Sequence, residues 1–244
     1  MNTGPANYES GGQRFTGFLA DGSRGGRAAG LLVIHEGLGL TQHVKDVARR
    51  LAELGYVAYA MNLFGDVALS LDEAKALVRA LRADRAELRR RARLALEVLA
   101  AHEHVDRRRL AAIGYCFGGT AALELARSGA ELAGVIGLHA GLDAAEPRDA
   151  SAVRAKILIC TGDADPIVTR KQREDFVAEM ESARIDWQMH VYGGVGHSFT
   201  NPEIDAWGFP GFAYHAIADQ RSWRAMLAFL EESLGPPEFV MREN

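Results

Sequence analysis

Six residues, Gly114-Tyr115-Cys116-Phe117-Gly118-Gly119, constrain the fold of this chain more than any other stretch. They separate an apolar run, Leu110 to Ile113, from a run of helical character, Thr120 to Arg127. A strand that passes directly into a helix must do so through one tight turn. Glycines on both sides of Cys116 let backbone and neighbouring elements approach where side chains would clash. The turn pushes the Cys116 side chain out at the end of the sheet, as in the nucleophile-elbow pattern G-x-S-x-G with cysteine in the serine position. The helix starts just past Cys116, so its N–H groups and dipole favour a thiolate or an oxyanion there.

The rest of the chain repeats the strand-to-helix alternation. Gln13 to Ala20 alternates weakly and predicts an edge strand closed by Asp21-Gly22-Ser23. Ala28 to Ile34, Tyr56 to Met61, Leu132 to Leu138 and Ala155 to Cys160 are apolar runs suited to strands buried on both faces. Asp186 to Val191 predicts a further, alternating strand. Helices are predicted over Thr41 to Leu54, Asp72 to Ala101 in two pieces, Thr169 to Ala183 and Ala216 to Leu234. This order predicts an α/β fold, with a mostly parallel central sheet covered by helices on both faces, in one domain over residues 1–244.

Composition narrows the function classes. The chain has 244 residues, a formal net charge of -4, 48% hydrophobic and 25% charged residues. That balance speaks against nucleic acid or an anionic membrane as the main partner. Met1 to Gly12 is polar and glycine-rich, without the basic-then-apolar order of a signal peptide. No apolar run has the length of a membrane span. Two cysteines, Cys116 and Cys160, with no C-x-x-C or H-E-x-x-H spacing, predict free thiols and no metal or cofactor. A cytoplasmic chain, monomeric or weakly dimeric, acting on a small molecule is expected.

Residues with useful chemistry stand just past the predicted strands. Glu36-Gly37 follows one, then come Cys116, His139, Asp163 with Asp165, and His197. Ligands of such sheets bind at the carboxyl ends of the strands. Nucleophile, acid and base occur in the order Cys, Asp, His, as the α/β-hydrolase arrangement requires. His197 is placed to take the Cys116 proton, and a carboxylate behind it holds the tautomer and steadies the imidazolium. Asp163 and Asp165 both qualify on spacing. The backbone N–H groups of Phe117 and Gly37 are the expected oxyanion donors. His139, Phe199 and Trp207 are candidate pocket residues, and Cys160 is expected to be an inert packed thiol. The run Arg89, Arg90, Arg91 and Arg93 is read as a solvated polar face, with Arg79, Arg82 and Arg85 as candidates for an anionic substrate.

The elbow, together with His35-Glu36, Gly162-Asp163-Ala164-Asp165-Pro166 and Gly196-His197-Ser198-Phe199, resembles the dienelactone hydrolase family from about Gly30 to Leu234. The resemblance implies an α/β-hydrolase fold and a Cys-His-Asp triad that cleaves a lactone or ester through a thioester. It selects Asp165 as the triad acid and gives Glu36 a part in activating the thiol. Family members acting on dienelactones carry an arginine shortly after the catalytic histidine; this chain has Thr200-Asn201-Pro202 there. The chemistry therefore carries over further than the substrate. A thioesterase or acyltransferase on the same triad, and a non-catalytic binding scaffold, are the alternatives.

Overall fold

Each apolar run read as a strand enters one eight-stranded sheet in the computed structural model, which describes residues 1–67, 69–144 and 147–237. In chain order the elements are β1 (Asn2–Ser10), β2 (Gln13–Asp21), β3 (Ala28–Ile34), α1 (Gln42–Glu53), β4 (Val57–Met61), α2 (Leu71–Ala83) and α3 (Arg85–Ala100). There follow β5 (Val105–Tyr115), α4 (Phe117–Arg127), β6 (Gly134–Leu138), β7 (Lys156–Gly162), α5 (Arg170–Ser182), β8 (Trp187–Tyr192) and α6 (Ala216–Leu234). The spatial order is β1-β2-β4-β3-β5-β6-β7-β8. From β4 to β8 all pairings are parallel; β1 and β2 are antiparallel additions.

The period of two along a strand divides the core into two layers. In β3, Leu32 and Ile34 face the side covered by α3, α4 and α5. Leu31 and Val33 face α1 and α6. All of α4 is buried, including Glu124 and Arg127, which pair with each other at 3.1 Å. Arg127 also pairs with Glu179 at 2.7 Å, and Arg89 with Glu124 at 2.8 Å. The basic run is a solvated face only in part: Arg90 and Arg93 are exposed, whereas Arg89 and Arg91 are half-buried. Arg89 reaches a buried carboxylate, Arg90 and Arg91 hold Glu87, and Arg93 bonds the Ser128 carbonyl. Buried charges need such partners.

Two sequence expectations change at the sheet edge. β1 was not foreseen, and β2 is an inner strand paired on both sides. β1 is polar and largely exposed, so no apolar alternation marks it. Its signal is Gly11-Gly12, both at positive φ (59° and 74°), the geometry of a two-residue hairpin turn. β5 is also longer than the apolar run Leu110 to Ile113, because backbone pairing to Ala28 and Ala29 continues past a bulge with Val105 and Asp106. No helix among the described residues is long and apolar enough to cross a membrane.

Candidate active site

The carboxyl ends of β3, β5, β7 and β8 meet around one cavity of about 540 Å³. β5 delivers Cys116 at φ 50°, a conformation that non-glycine residues seldom hold. Among the described residues, five non-glycines have positive φ, and three of them, Cys116, His139 and Ser198, belong to this region. Such strain persists where surrounding structure over-determines it, often at functional sites. The elbow is over-determined by contact: a Cβ on Gly114 would lie 2.1 Å from the Gly118 carbonyl oxygen. Phe117 opens α4, so its N–H has no carbonyl within the helix to serve. Phe117 and Gly37 both line the cavity beside Cys116.

The loops after β7 and β8 are tied together by backbone bonds, Asp163 N–H to Tyr192 and Ala164 N–H to Val195. They bring His197 to Cys116, with Nε2 to Sγ at 3.1 Å. His197 Nδ1 donates to Asp165 Oδ2 at 2.7 Å; a carboxylate only accepts, which sets the tautomer. Asp165 is oriented by the Ile167 and Val168 N–H groups on Oδ1, at 2.7 and 3.0 Å. Asp163 points elsewhere and pairs with Arg173 at 2.9 Å. The two aspartates left open by spacing are therefore separated by geometry. Burial alone pushes the His197 imidazolium down; the Cys116 sulfur and the Asp165 carboxylate outweigh it and hold its pKa at about 10.

Glu36 lies in the same cavity wall, with Oε2 accepting from Asn201 Nδ2 at 2.5 Å. Its Oε1 is buried without a hydrogen-bond partner among the described residues. Burial pushes the Glu36 carboxyl above its ordinary value, against the Asn201 and Ser198 hydrogen bonds that pull it down. Two residues to which the sequence assigns no role of their own, His35 and Asn201, support Glu36. His35 Nδ1 bonds the Glu36 carbonyl at 2.6 Å and Nε2 accepts the Leu63 N–H at 2.9 Å, tying the loop to the end of β4. Burial holds His35 at a pKa of about 4, so it serves as a neutral bridge. Asn201 stands four residues after His197, and that position is its one signal in the sequence.

The candidate pocket residues His139, Phe199 and Trp207 do not line the cavity. His139 and Phe199 are fully buried behind His197, with ring centroids 5.3 Å apart for His139–His197 and 5.2 Å for His139–Phe199. His139 Nε2 meets Thr200 Oγ1 at 2.8 Å, and burial beside His197 keeps its pKa well below the ordinary value. Trp207 is 46% exposed and stacks on Phe209. The aromatic wall is instead Phe209 and Phe212, the latter 4.6 Å from the His197 ring. One face of α2 completes the cavity with Lys75, Val78, Arg79 and Arg82. Arg82 is held by Asp143 at 3.0 Å, and Arg85 pairs with Asp143 and Glu124 outside the cavity. Cys160 is buried, with its thiol pushed up to about 12 by burial.

Known proteins match this arrangement over nearly the whole chain. The model of the dienelactone hydrolase family matches residues 15–234. A crystal structure of a dienelactone hydrolase-like promiscuous phosphotriesterase from metagenomic libraries is 37% identical, with a TM-score of 0.91 over 96% of this chain and 99% of that one. The protein m3DLH is 42% identical, with a TM-score of 0.91 over 96% of this chain and 98% of its own. A probable 2-oxo-3-(5-oxofuran-2-ylidene)propanoate lactonase of Bradyrhizobium sp is 29% identical over 216 residues, 84% of each chain. Sheet order, elbow and family match agree, and the chain belongs to the dienelactone hydrolase family of α/β hydrolases, which act on lactone and ester bonds.

Proposed function

We propose that this chain hydrolyses small esters or lactones through a thioester on Cys116, with His197 and Asp165 completing the triad. The carrying observation is the continuous contact from Sγ to Nε2 at 3.1 Å and from Nδ1 to Oδ2 at 2.7 Å, opening on the cavity. The Cys116 sulfur attacks the carbonyl carbon. The oxyanion that forms is held by the N–H groups of Phe117 and Gly37. His197 gives a proton to the departing oxygen, releasing the alcohol or opening the ring. It then takes a proton from water, which attacks the thioester and returns the acid and the free thiol. No metal or cofactor enters these steps. Two free thiols and the acidic surface balance fit a cytoplasmic monomer or weak homodimer with a small-molecule substrate.

Apolar side chains dominate the lining, and the cations of α2 stand along one wall. That suits an acyl group with an apolar body and an acidic end. A neutral phosphotriester is a second reading, supported by the apolar lining and by the stated activity of the metagenomic relative. A thioesterase or acyltransferase would use the same triad with a different leaving group or acceptor.

The direct test is intact-mass analysis during turnover of a p-nitrophenyl ester. One acyl group on Cys116 is expected, and acylation found only elsewhere rules the reading out. Asp165→Asn keeps the size of the side chain and places an N–H against His197 Nδ1. The wrong tautomer then faces Cys116, and kcat should fall by about 10³–10⁴-fold. A change in KM alone would show that Asp165 is not behind the base.

Glu36 supports a narrower expectation. If Glu36 takes part in thiol activation, Glu36→Gln should slow acylation by about 100-fold while melting temperature stays nearly constant, since glutamine keeps the Asn201 contact. Loss of stability with normal acylation would make Glu36 a structural residue of the β3 turn.

A further inference from the structure

Three side chains with no part in this chemistry converge at the far end of the sheet. Asp21 ends β2 and pairs with Val57, the first residue of β4. His102 and His104 lie in the turn between α3 and β5, and the His104 carbonyl accepts the N–H of Ala28, which begins β3, at 2.8 Å. These are the amino ends of the parallel strands, whereas the triad follows their carboxyl ends. One ligand-capable atom from each of Asp21, His102 and His104 lies within 4.8 Å of the other two. His104 Nδ1 and Asp21 Oδ2 are 2.6 Å apart. The two imidazole centroids are 5.5 Å apart, with planes inclined at 69°. Two imidazoles bound to one tetrahedral zinc at about 2.0–2.1 Å have centroids roughly 5 Å apart.

We propose that Asp21, His102 and His104 form a divalent-metal site for a zinc-like ion, which clips the end of β2 to the turn before β5. Two imidazoles and one carboxylate suit zinc, copper or nickel better than magnesium or calcium. The site is partly organised in advance. Asp21 is buried, and its Oδ1 is held by the Ser23 N–H at 2.8 Å. The His102 ring accepts the His104 backbone N–H on Nδ1 at 3.3 Å, which keeps it beside its neighbour. Both histidines are part-exposed, so an ion has access and water can complete the coordination. The ligand atoms must close to separations of about 3.4 Å, which rotation of the part-exposed rings supplies. Metal binding displaces protons from the imidazole and carboxyl ligands, so it weakens as pH falls. An Asp–His hydrogen bond accounts for the 2.6 Å contact; the second imidazole adds a third ligand-capable atom within 4.8 Å of both.

Zinc chloride is titrated calorimetrically into the full chain at neutral pH, beside His102→Gln and His104→Gln. Wild type is expected to bind one more zinc ion than either variant, and zinc should raise the melting temperature of wild type alone. Copper(II) should give an electron paramagnetic spectrum with two-nitrogen coupling that His102→Gln loses. His102→Gln leaves the His104–Asp21 bond in place, so it tests the metal without testing the fold. Equal stoichiometry and affinity in wild type and His102→Gln overturns the proposal. So does zinc uptake seen only as inhibition of turnover at Cys116 and His197, with no difference between the three proteins.

Discussion

Cys116→Ala is expected to lower ester turnover by about 10⁴-fold or more, with little effect on stability. The sulfur is the atom placed 3.1 Å from His197 Nε2 at the mouth of the elbow. Its removal leaves His197 and Asp165 paired but with no nucleophile to activate. The donors of Phe117 and Gly37 remain, so weak hydrolysis by water persists. Alanine has the same Cβ as cysteine, so the φ of 50° becomes no more strained. A p-nitrophenyl ester assay and a thermal melt check both halves. Cys160 cannot substitute, because it is buried with its thiol held near pKa 12. Turnover within tenfold of wild type would end the case for Cys116 as nucleophile.

Gly118→Ala should produce a large loss of stability for one added methyl group. A Cβ there would sit 2.3 Å from the Ile34 carbonyl oxygen and 2.5 Å from that of His35. Both contacts are backbone, so no side chain can swing away. The first turn of α4 must then retreat from the end of β3, at a cost of about 3 kcal/mol. For a chain of this size that corresponds to a melting temperature lower by about 6–12 °C. Activity should fall too, because the retreat separates the Phe117 N–H from Gly37. Gly193→Ala is the control, since its Cβ would meet nothing within 4 Å. Equal melting temperatures for the two variants would refute the close-approach argument.

Much of the fold was legible in the residues because buried parallel strands are written as apolar runs. Ala28 to Ile34 shows this: every residue of β3 is buried, as a strand covered on both faces requires. β1 was illegible for the converse reason. It contributes backbone bonds at the edge, and although alternate positions are half-buried, only Ala6 and Tyr8 among them carry apolar side chains, too few to mark a strand in the sequence. The order of candidate nucleophile, acid and base was legible, since each candidate follows a strand, but spacing left Asp163 and Asp165 both open. The pocket was not. Phe199 and Phe212 look alike in sequence, yet one lies in the core and the other faces the cavity.

The residues by themselves therefore determined the fold class, the elbow and the chain order of a cysteine, an aspartate pair and His197. These rest on local rules: glycine where backbone must approach, apolar runs where both faces are covered, and chain order around a sheet. Spacing left two aspartates and the family resemblance chose Asp165; the tertiary structure supplies its contact with His197, and it alone decided that Asn201 holds Glu36 and that His139 stands behind His197 rather than in the cavity wall. It also brought Asp21 to His104 across 83 positions of chain. Such contacts depend on where loops land after the sheet closes. That is set by packing and backbone bonds between distant segments, and no local pattern encodes it.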